Sequence, residues 1–264
     1  MRRRIMMEIY VEKYGGSSLA TVDKIKNVAQ RIVNQSRQNK GQVIVVSAMG
    51  DTTDNLIKLA HEITPQPKDR EMDMLVSTGE QVSISLLAMA IDSLGHSVIS
   101  LTGPQVGIKT TGTYKKAKIL EVNSNRIISE LKKGKTVIVA GFQGITEGNE
   151  ITTLGRGGSD TTAVAIAAAL DAVKCNICTD TDGVYSADPR IVPNAKKLSE
   201  ISYDEMLEMA VLGAKVLHPR SVELARNYNI TLEVRSSAKL EQGTIVKGVE
   251  DIYGRDVESK RYNS

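Results

Sequence analysis

Five short stretches hold the residues whose types and spacing could do chemistry. KYGGSS (Lys13 to Ser18) sets a cation against two glycines and two hydroxyls. Glycines let a phosphate approach backbone N–H groups, and a following helix N-terminus adds positive potential. A Gly-Gly pair ahead of a helix is equally at home as a tight turn. TLGRGGSDTTAVAIAAAL (residues 153 to 170) places one arginine, Arg156, among three glycines, with Asp160 at the mouth of an Ala-rich apolar helix. TDTDGVYSADPR (Thr179 to Arg190) is dense in aspartate around one glycine. Aligned as an EF-hand on Gly183, it offers Cys178 and Pro189 as first and twelfth ligands, and neither suits calcium. A plain acidic turn or a ligand-binding turn remains open there. GAKVLHP carries Lys215 in an apolar run, where a lysine by itself snorkels to water. KCNICTD contains both cysteines, and their spacing puts Cys175 and Cys178 on opposite faces of a strand. With no second pair and with His61, His96 and His218 scattered, two inert buried thiols are expected. No G-x-x-x-x-G-K-[ST] loop is present and no G-x-G-x-x-G follows a first strand, so neither a P-loop nor a dinucleotide fingerprint is in play.

Composition narrows the partners. The net charge of +3 over 264 residues is far from a basic nucleic-acid footprint. No Trp and one Phe leave little to stack on bases. The opening MRRRIMMEIYVEKYGG lacks the apolar core of a signal peptide, and no run approaches the ~18 apolar residues of a membrane span. A cytoplasmic protein that binds neither nucleic acid nor membrane is expected, with Arg2 to Arg4 a solvated tail.

The elements that must position these motifs alternate along the chain. YVEKYGG reads as a strand entering a glycine turn. TVDKIKNVAQRIV places Val22, Ile25, Val28, Ile32 and Val33 on one helical face. QVIVVSAMG is an unbroken apolar run, as a strand covered on both faces requires. DTTDNLIKLAHEI gives a helix with Leu56, Leu59 and Ile63 inward. A longer helix from about Met72 stops at Gly95, and HSVISLTG follows as a strand. A helix around Ile127, Ile128 and Leu131 stops at Gly134, KTVIVAGFQG is a further strand, and ITEGNEITTLG reads as a hairpin. After the strand KCNICTD, Ser202 and Glu205 form a capping box for a helix over YDEMLEMAVLGAKVL. Pro219 opens one more helix. NITLEVRSS alternates as a half-buried strand, and the charged stretch from about Gly248 reads as a loose tail. This order predicts an α/β fold, a three-layer αβα sandwich with a mostly parallel central sheet. Ligands gather at the carboxyl ends of such strands, where the polar motifs fall.

Taken together, the motifs EKYGGSS, VVSAMGDTTDNL, STGEQ, AGFQG, TTLGRGGSDTTA, TDTDGVYSADPR, GAKVLHPRSVE and VRSS resemble the amino-acid kinase superfamily and, within it, the aspartate kinases. They occur in family order over nearly the whole chain. The resemblance implies the amino-acid kinase fold and transfer of the γ-phosphoryl group of ATP to the β-carboxylate of L-aspartate, giving 4-phospho-L-aspartate and ADP. That reaction opens the route to lysine, threonine and methionine. Other members act on acetylglutamate, glutamate, carbamate or UMP. A nucleotide-binding sensor subunit without turnover is the non-catalytic alternative.

The resemblance also implies roles. Lys13 matches the lysine that stabilises the transferring phosphoryl group, and Asp160 the aspartate that organises it. Gly15, Gly16 and Ser17 match the phosphate-facing turn. Arg156 matches the clamp on the substrate α-carboxylate, and Glu80 the partner of its α-ammonium. Ser47 and Thr53 complete that pocket, or else merely cap a helix. Thr179, Asp180, Tyr185, Arg190 and Lys215 match nucleotide-binding positions. Mg²⁺ is implied, held mainly by phosphates and water, with its protein ligands unassigned. The implied organisation is a catalytic domain over residues 1–247, with an aspartate-binding lobe to about residue 140 and a nucleotide-binding lobe from about 141. The tail over 248–264 is too short for the ~70-residue ACT domains common in the family. A homodimer through the catalytic domain is implied. The short tail suggests a natural ACT-free or truncated form, and a separate ACT-type regulatory subunit is compatible with it.

Overall fold

The computed structural model describes residues 7–36, 40–214 and 216–253. The chain runs through β1 (Glu8–Tyr14), α1 (Val22–Gln35), β2 (Lys40–Val46), α2 (Thr52–Ile63), α3 (Asp69–Val76), α4 (Thr78–Asp92), β3 (Val98–Leu101), β4 (Ile108–Thr110) and β5 (Ile119–Val122). It continues through α5 (Asn125–Lys132), β6 (Thr136–Ala140), β7 (Gln143–Ile145), β8 (Ile151–Thr153), α6 (Gly158–Ala169) and β9 (Lys174–Thr179). The last elements are β10 (Glu200–Ser202), α7 (Tyr203–Val211), α8 (Pro219–Asn227), β11 (Leu232–Ser236), β12 (Thr244–Lys247) and α9 (Val249–Tyr253). Among the described residues, an eight-stranded sheet has the order β10-β12-β11-β9-β1-β2-β6-β3. Only the β11–β12 pair in it is antiparallel.

Strand periodicity divides the interior in two. In β2, Val43 and Val45 face one way and Ile44 and Val46 the other; in β6, Val137 and Val139 oppose Ile138 and Ala140. The first set shares a core with Ile127 and Leu131 of α5 and Val164 and Ile166 of α6, which Val222 of α8 extends. The second packs against Ile25, Val28 and Ile32 of α1 and Ile84, Leu87 and Ile91 of α4. Both faces are therefore covered by helices, which is why these strands read as unbroken apolar runs. Cys175 lies in the first core and Cys178 in the second, on opposite faces as their spacing requires. Burial pushes both thiols well above their usual range.

A second, four-stranded sheet has the order β5-β4-β7-β8. Its β7–β8 pair is the expected hairpin, closed by Asn149 at φ 65°. The β4–β5 pair was not legible, because β4 has three residues, β5 has four and most of their side chains lie partly or fully exposed. Asp73 of α3, fully buried, ties this sheet down by accepting from the backbone N–H groups of Lys115 and Thr153 and from the Thr153 hydroxyl.

Several helical expectations are corrected. The helix expected from Met72 is α3 and α4, meeting at Ser77, which is itself in helical conformation. Asp69–Asp92 is long and apolar enough to cross a membrane by length and composition alone, yet Ile84, Leu87 and Ile91 pack into the core. Of Leu56, Leu59 and Ile63, expected inward, only Leu56 is partly buried: α2 buries no residue fully, and Leu59 and Ile63 are 54% and 87% exposed. Val22 is likewise exposed at the first turn of α1. The helix expected over YDEMLEMAVLGAKVL ends at Val211, since Gly213 takes φ 110°, which no helix continues through. Its capping box is present, with Ser202 and Glu205 bonded reciprocally. β11 is buried on both faces, because Glu233 is held inside by Lys174 and by the Gly243 N–H. The expected tail begins with the short helix α9. Arg2 to Arg4 and Lys215 lie outside the described residues.

Candidate active site

The ends of β1, β2, β6 and β9 converge, and the motif residues converge with them. Lys13 lies near the end of β1, beside Val45 of β2 and Ile177 of β9. It points to the face covered by α6. There Nζ meets Oδ1 of Asp160 at 2.7 Å, with both side chains about an eighth exposed. Asp160 occupies the first turn of α6, where an acidic group also answers the helix dipole. The pair is a nearly buried cation held ready at the mouth of the sheet.

Bare backbone surrounds that cation. A Cβ at Gly15 would lie 3.4 Å from Lys13 Nζ. A Cβ at Gly16 would come within 2.6 Å of the Ala48 carbonyl, so only glycine lets the turn after β1 seat against the loop after β2. The loops interlock: the Ser47 N–H donates to the Tyr14 carbonyl and the Gly50 N–H to the Gly16 carbonyl. Ser17 is exposed on the same turn, and its carbonyl accepts from Lys24 Nζ.

Glu80 closes the far side of the same loop. It is 3% exposed, at the start of α4, and its Oε1 accepts from the Ala48 N–H at 3.0 Å. Its Oε2 is buried without a partner among the described residues. Burial raises the Glu80 carboxyl to about 7, against the opposing pull of the Ala48 N–H. A Cβ on Gly79 would lie 2.8 Å from Ala48 Cβ and 3.9 Å from Thr53 Oγ1, so Thr53 stands at this corner too. A buried carboxyl oxygen with no partner is costly, and a ligand ammonium would satisfy it. This places Ser47, Thr53 and Glu80 around one loop, next to Gly16 and one strand away from Lys13.

Arg156 stands on the loop between β8 and α6, exposed, between Gly155 at φ 76° and Gly157 at φ 69°. These left-handed conformations are what the glycines supply. No hydrogen bond or ion pair holds its guanidinium among the described residues.

The motif after β9 divides. Thr179 lies at the end of β9, next to Gly15, whose N–H points to the Cys178 carbonyl. Its hydroxyl donates to Asp180. Tyr185 donates to Asp182, which Lys197 also approaches at 3.9 Å. Arg190 is 85% exposed and bonded in a fork to Asp188, whose carboxyl it holds down at about 2. It is not brought to the Lys13–Asp160 pair by any bond among the described residues.

Residues 8–236 match the amino acid kinase family. The chain belongs to that family. An aspartokinase of Bacillus sp. (strain MGA3) is 58% identical over 241 residues, 91% of this chain and 59% of the relative. Aspartokinase 2 of Bacillus subtilis is 56% identical over the same shares. The chain thus spans about 59% of the length of these curated relatives. Among solved structures, the aspartate kinase from Synechocystis superposes with a TM-score of 0.81 at 55% identity, covering 91% of this chain and 40% of that one. Aspartokinase III of E. coli, in complex with aspartate and ADP, gives 0.82 at 29% identity, covering 91% and 65%. UMP kinase from Bacillus anthracis, at 18% identity and a TM-score of 0.66, shares the fold.

For an amino acid kinase, two residues in this site escaped the sequence reading. Phe142, the chain's one phenylalanine, takes φ 69° in the connection between β6 and β7, and its ring packs where a Cβ on Gly158 would lie. Its N–H donates to Thr162 of α6. A bulky residue in left-handed backbone is a marked outlier, and nothing in the sequence beyond its flanking glycines announces it. His218 caps α8 just ahead of Pro219. A capping residue before proline at the first helical position was the available signal.

Proposed function

We propose that this chain carries the catalytic machinery of an aspartokinase, transferring the γ-phosphoryl group of ATP to the β-carboxylate of L-aspartate. The observation that carries the reading is the Lys13–Asp160 pair beside bare glycine backbone, one loop away from the unpartnered carboxyl oxygen of Glu80. The identity to aspartokinases supports it, as does the likeness to an enzyme bound to aspartate and ADP.

The chemistry fits these residues. The acceptor is a carboxylate that is already ionised, so no base has to create a nucleophile. The obstacle is bringing one anion to another. Two like charges at ~4 Å repel by about 4 kcal/mol at an effective dielectric near 20. Lys13, positioned by Asp160, cancels charge on the transferring group, and the turn of Gly15, Gly16 and Ser17 lines its path. Glu80 takes the α-ammonium and Arg156 the α-carboxylate, for which a planar two-pronged guanidinium is suited. Ser47 and Thr53 add hydroxyl contacts. Thr179, Asp180 and Tyr185 receive the nucleotide; Arg190 joins them by releasing Asp188, and Lys215 belongs to the same group. Mg²⁺ fits as an ion borne on phosphate oxygens and water. Among the described residues no three His, Cys, Asp or Glu gather around one point, and Mg²⁺ needs few protein carboxylates. When bound it supplies the rest of the charge neutralisation.

The same reading assigns the aspartate side to residues 1–140, the nucleotide side to 141–247 and the stretch from 248 to a linker or tail. It takes the enzyme as cytoplasmic and dimeric. A lysine-bound T-state is known for E. coli aspartokinase III, and control by a regulatory domain or separate subunit is compatible with this chain. Kinases of other acids are less favoured: an N-acetylated substrate has no ammonium for Glu80. A panel of L-aspartate, L-glutamate, N-acetylglutamate, carbamate and UMP with ATP tests the proposal. ADP release that depends on aspartate supports it, and release with another acceptor alone rejects it.

A further inference from the structure

The loop that carries Arg156 is clamped from outside by the start of α8. A Cβ on Gly157 would fall 2.2 Å from Cγ of His218 and 2.3 Å from its Cβ, so the His218 side chain packs directly against the Gly157 backbone. Two residues on, Arg220 reaches back and donates from Nη1 to the Leu154 carbonyl at 3.1 Å. Within α8 the Arg220 N–H donates to Nδ1 of His218 at 3.3 Å, which fixes the ring's rotation. Nδ1 must be unprotonated to accept that bond, so the ring proton sits on Nε2. Burial and the Arg220 charge lower the pKa of the imidazole, against the pull of Asp160. On its other side the loop meets Lys115, whose carbonyl would lie 2.8 Å from a Cβ on Gly155.

We infer that His218 and Arg220 are positioning residues: they hold the Gly155–Gly158 loop in its left-handed conformation and so aim Arg156 at the substrate carboxylate. The inference rests on the role proposed above for Arg156. Glycines on both sides of an arginine leave the backbone free to explore many conformations. A guanidinium that binds in a two-pronged fashion needs its backbone fixed, and displacement by ~1 Å can cost on the order of 10²-fold. The imidazole supplies a rigid wall against one glycine, and the Arg220–Leu154 bond pins the strand end from which the loop departs. The clamp touches no reacting atom. Its effect is carried by Arg156 and falls on the amino acid rather than on the nucleotide.

Two variants and two readouts test this. His218→Ala removes both wall and cap. His218→Asn keeps a capping oxygen, among the best available for a helix start, but removes the wall. The expected result is that His218→Asn recovers most of the thermal stability lost in His218→Ala, while the KM for aspartate stays raised by roughly tenfold or more and the KM for ATP stays unchanged. Amide exchange read by mass spectrometry over residues 154–161 is the second readout. The Gly158 N–H, bonded to the Gly155 carbonyl at 3.0 Å in the wild type, should exchange faster in both variants. If His218→Asn restores the aspartate KM together with stability, or leaves loop exchange as in the wild type, the clamp is only a helix cap and the inference is overturned. If the wild type shows no turnover with aspartate but the loop loosens in His218→Asn, the clamp stands and the proposed activity is what fails.

Discussion

Replacing Glu80 by glutamine should change how stability depends on pH, by an amount the structure sets. Glu80 is 3% exposed, and burial lifts its carboxyl from 4.5 to about 7. Between those values the folded chain keeps a proton that the unfolded chain has lost, so stability falls as pH rises through this window. The rise is 7 − 4.5, or about 2.5 pH units, and at about 1.4 kcal/mol each the full penalty is on the order of 3 kcal/mol, reached by about pH 8. Glutamine cannot ionise. Its oxygen can still accept from Ala48, while its amide nitrogen takes the place of the unpartnered Oε2. Urea unfolding of both proteins at pH 5, 6, 7 and 8 gives the comparison. The stability of Glu80→Gln relative to the wild type should climb with pH by up to about 3 kcal/mol. A relative stability that is flat with pH, or that falls, would refute the reasoning. The ligand side has the same root. An ammonium seated on Glu80 favours the ionised carboxylate, so aspartate binding near pH 6.5 should release a proton. Calorimetry in buffers of different ionisation enthalpy reads that proton directly.

Other outcomes follow from single contacts. Asp160→Asn strips the partner from a nearly buried Lys13 and should lower turnover and cost stability, by less than the ~3–5 kcal/mol of a fully buried pair; activity and urea unfolding of the variant check it. Gly157→Ala meets both a left-handed φ and the His218 ring, and should raise the aspartate KM more than Gly112→Ala, where a Cβ meets nothing within 4 Å. Cys175 and Cys178 should resist alkylation in the native protein and react after denaturation, as mass spectrometry would show. Ser202→Ala breaks the capping box of α7 and should cost about 1 kcal/mol in urea unfolding.

The three-layer architecture was legible because its signal is local. Val43 to Val46 and Val137 to Ala140 are apolar on both faces, and only a sheet covered by helices on each side accommodates that. The capping box at Ser202 and the opposed cysteines were legible for the same reason. α2 misled, because Leu56, Leu59 and Ile63 have the spacing of a buried stripe on a helix that buries no residue fully. Periodicity reports a face and does not say what covers it. β4 and β5 were too short to show a period, and the buried Asp73 that anchors their sheet bonds to residues far along the chain. In the site, Lys13, Glu80 and Asp160 were named by motif resemblance, and the structure brings the two charges of Lys13 and Asp160 to 2.7 Å. His218 and Phe142 were missed because their parts depend on where a glycine backbone happens to lie, which no spacing rule encodes.

Aspartate-dependent release of ADP by Lys13→Met, measured on protein shown by circular dichroism to be folded, bears most directly on charge cancellation as the source of catalysis. With the cation gone and the glycine turn intact, turnover should fall by at least ~10²–10³-fold, as for loss of a main electrostatic donor. Turnover within a few-fold of the wild type would contradict it.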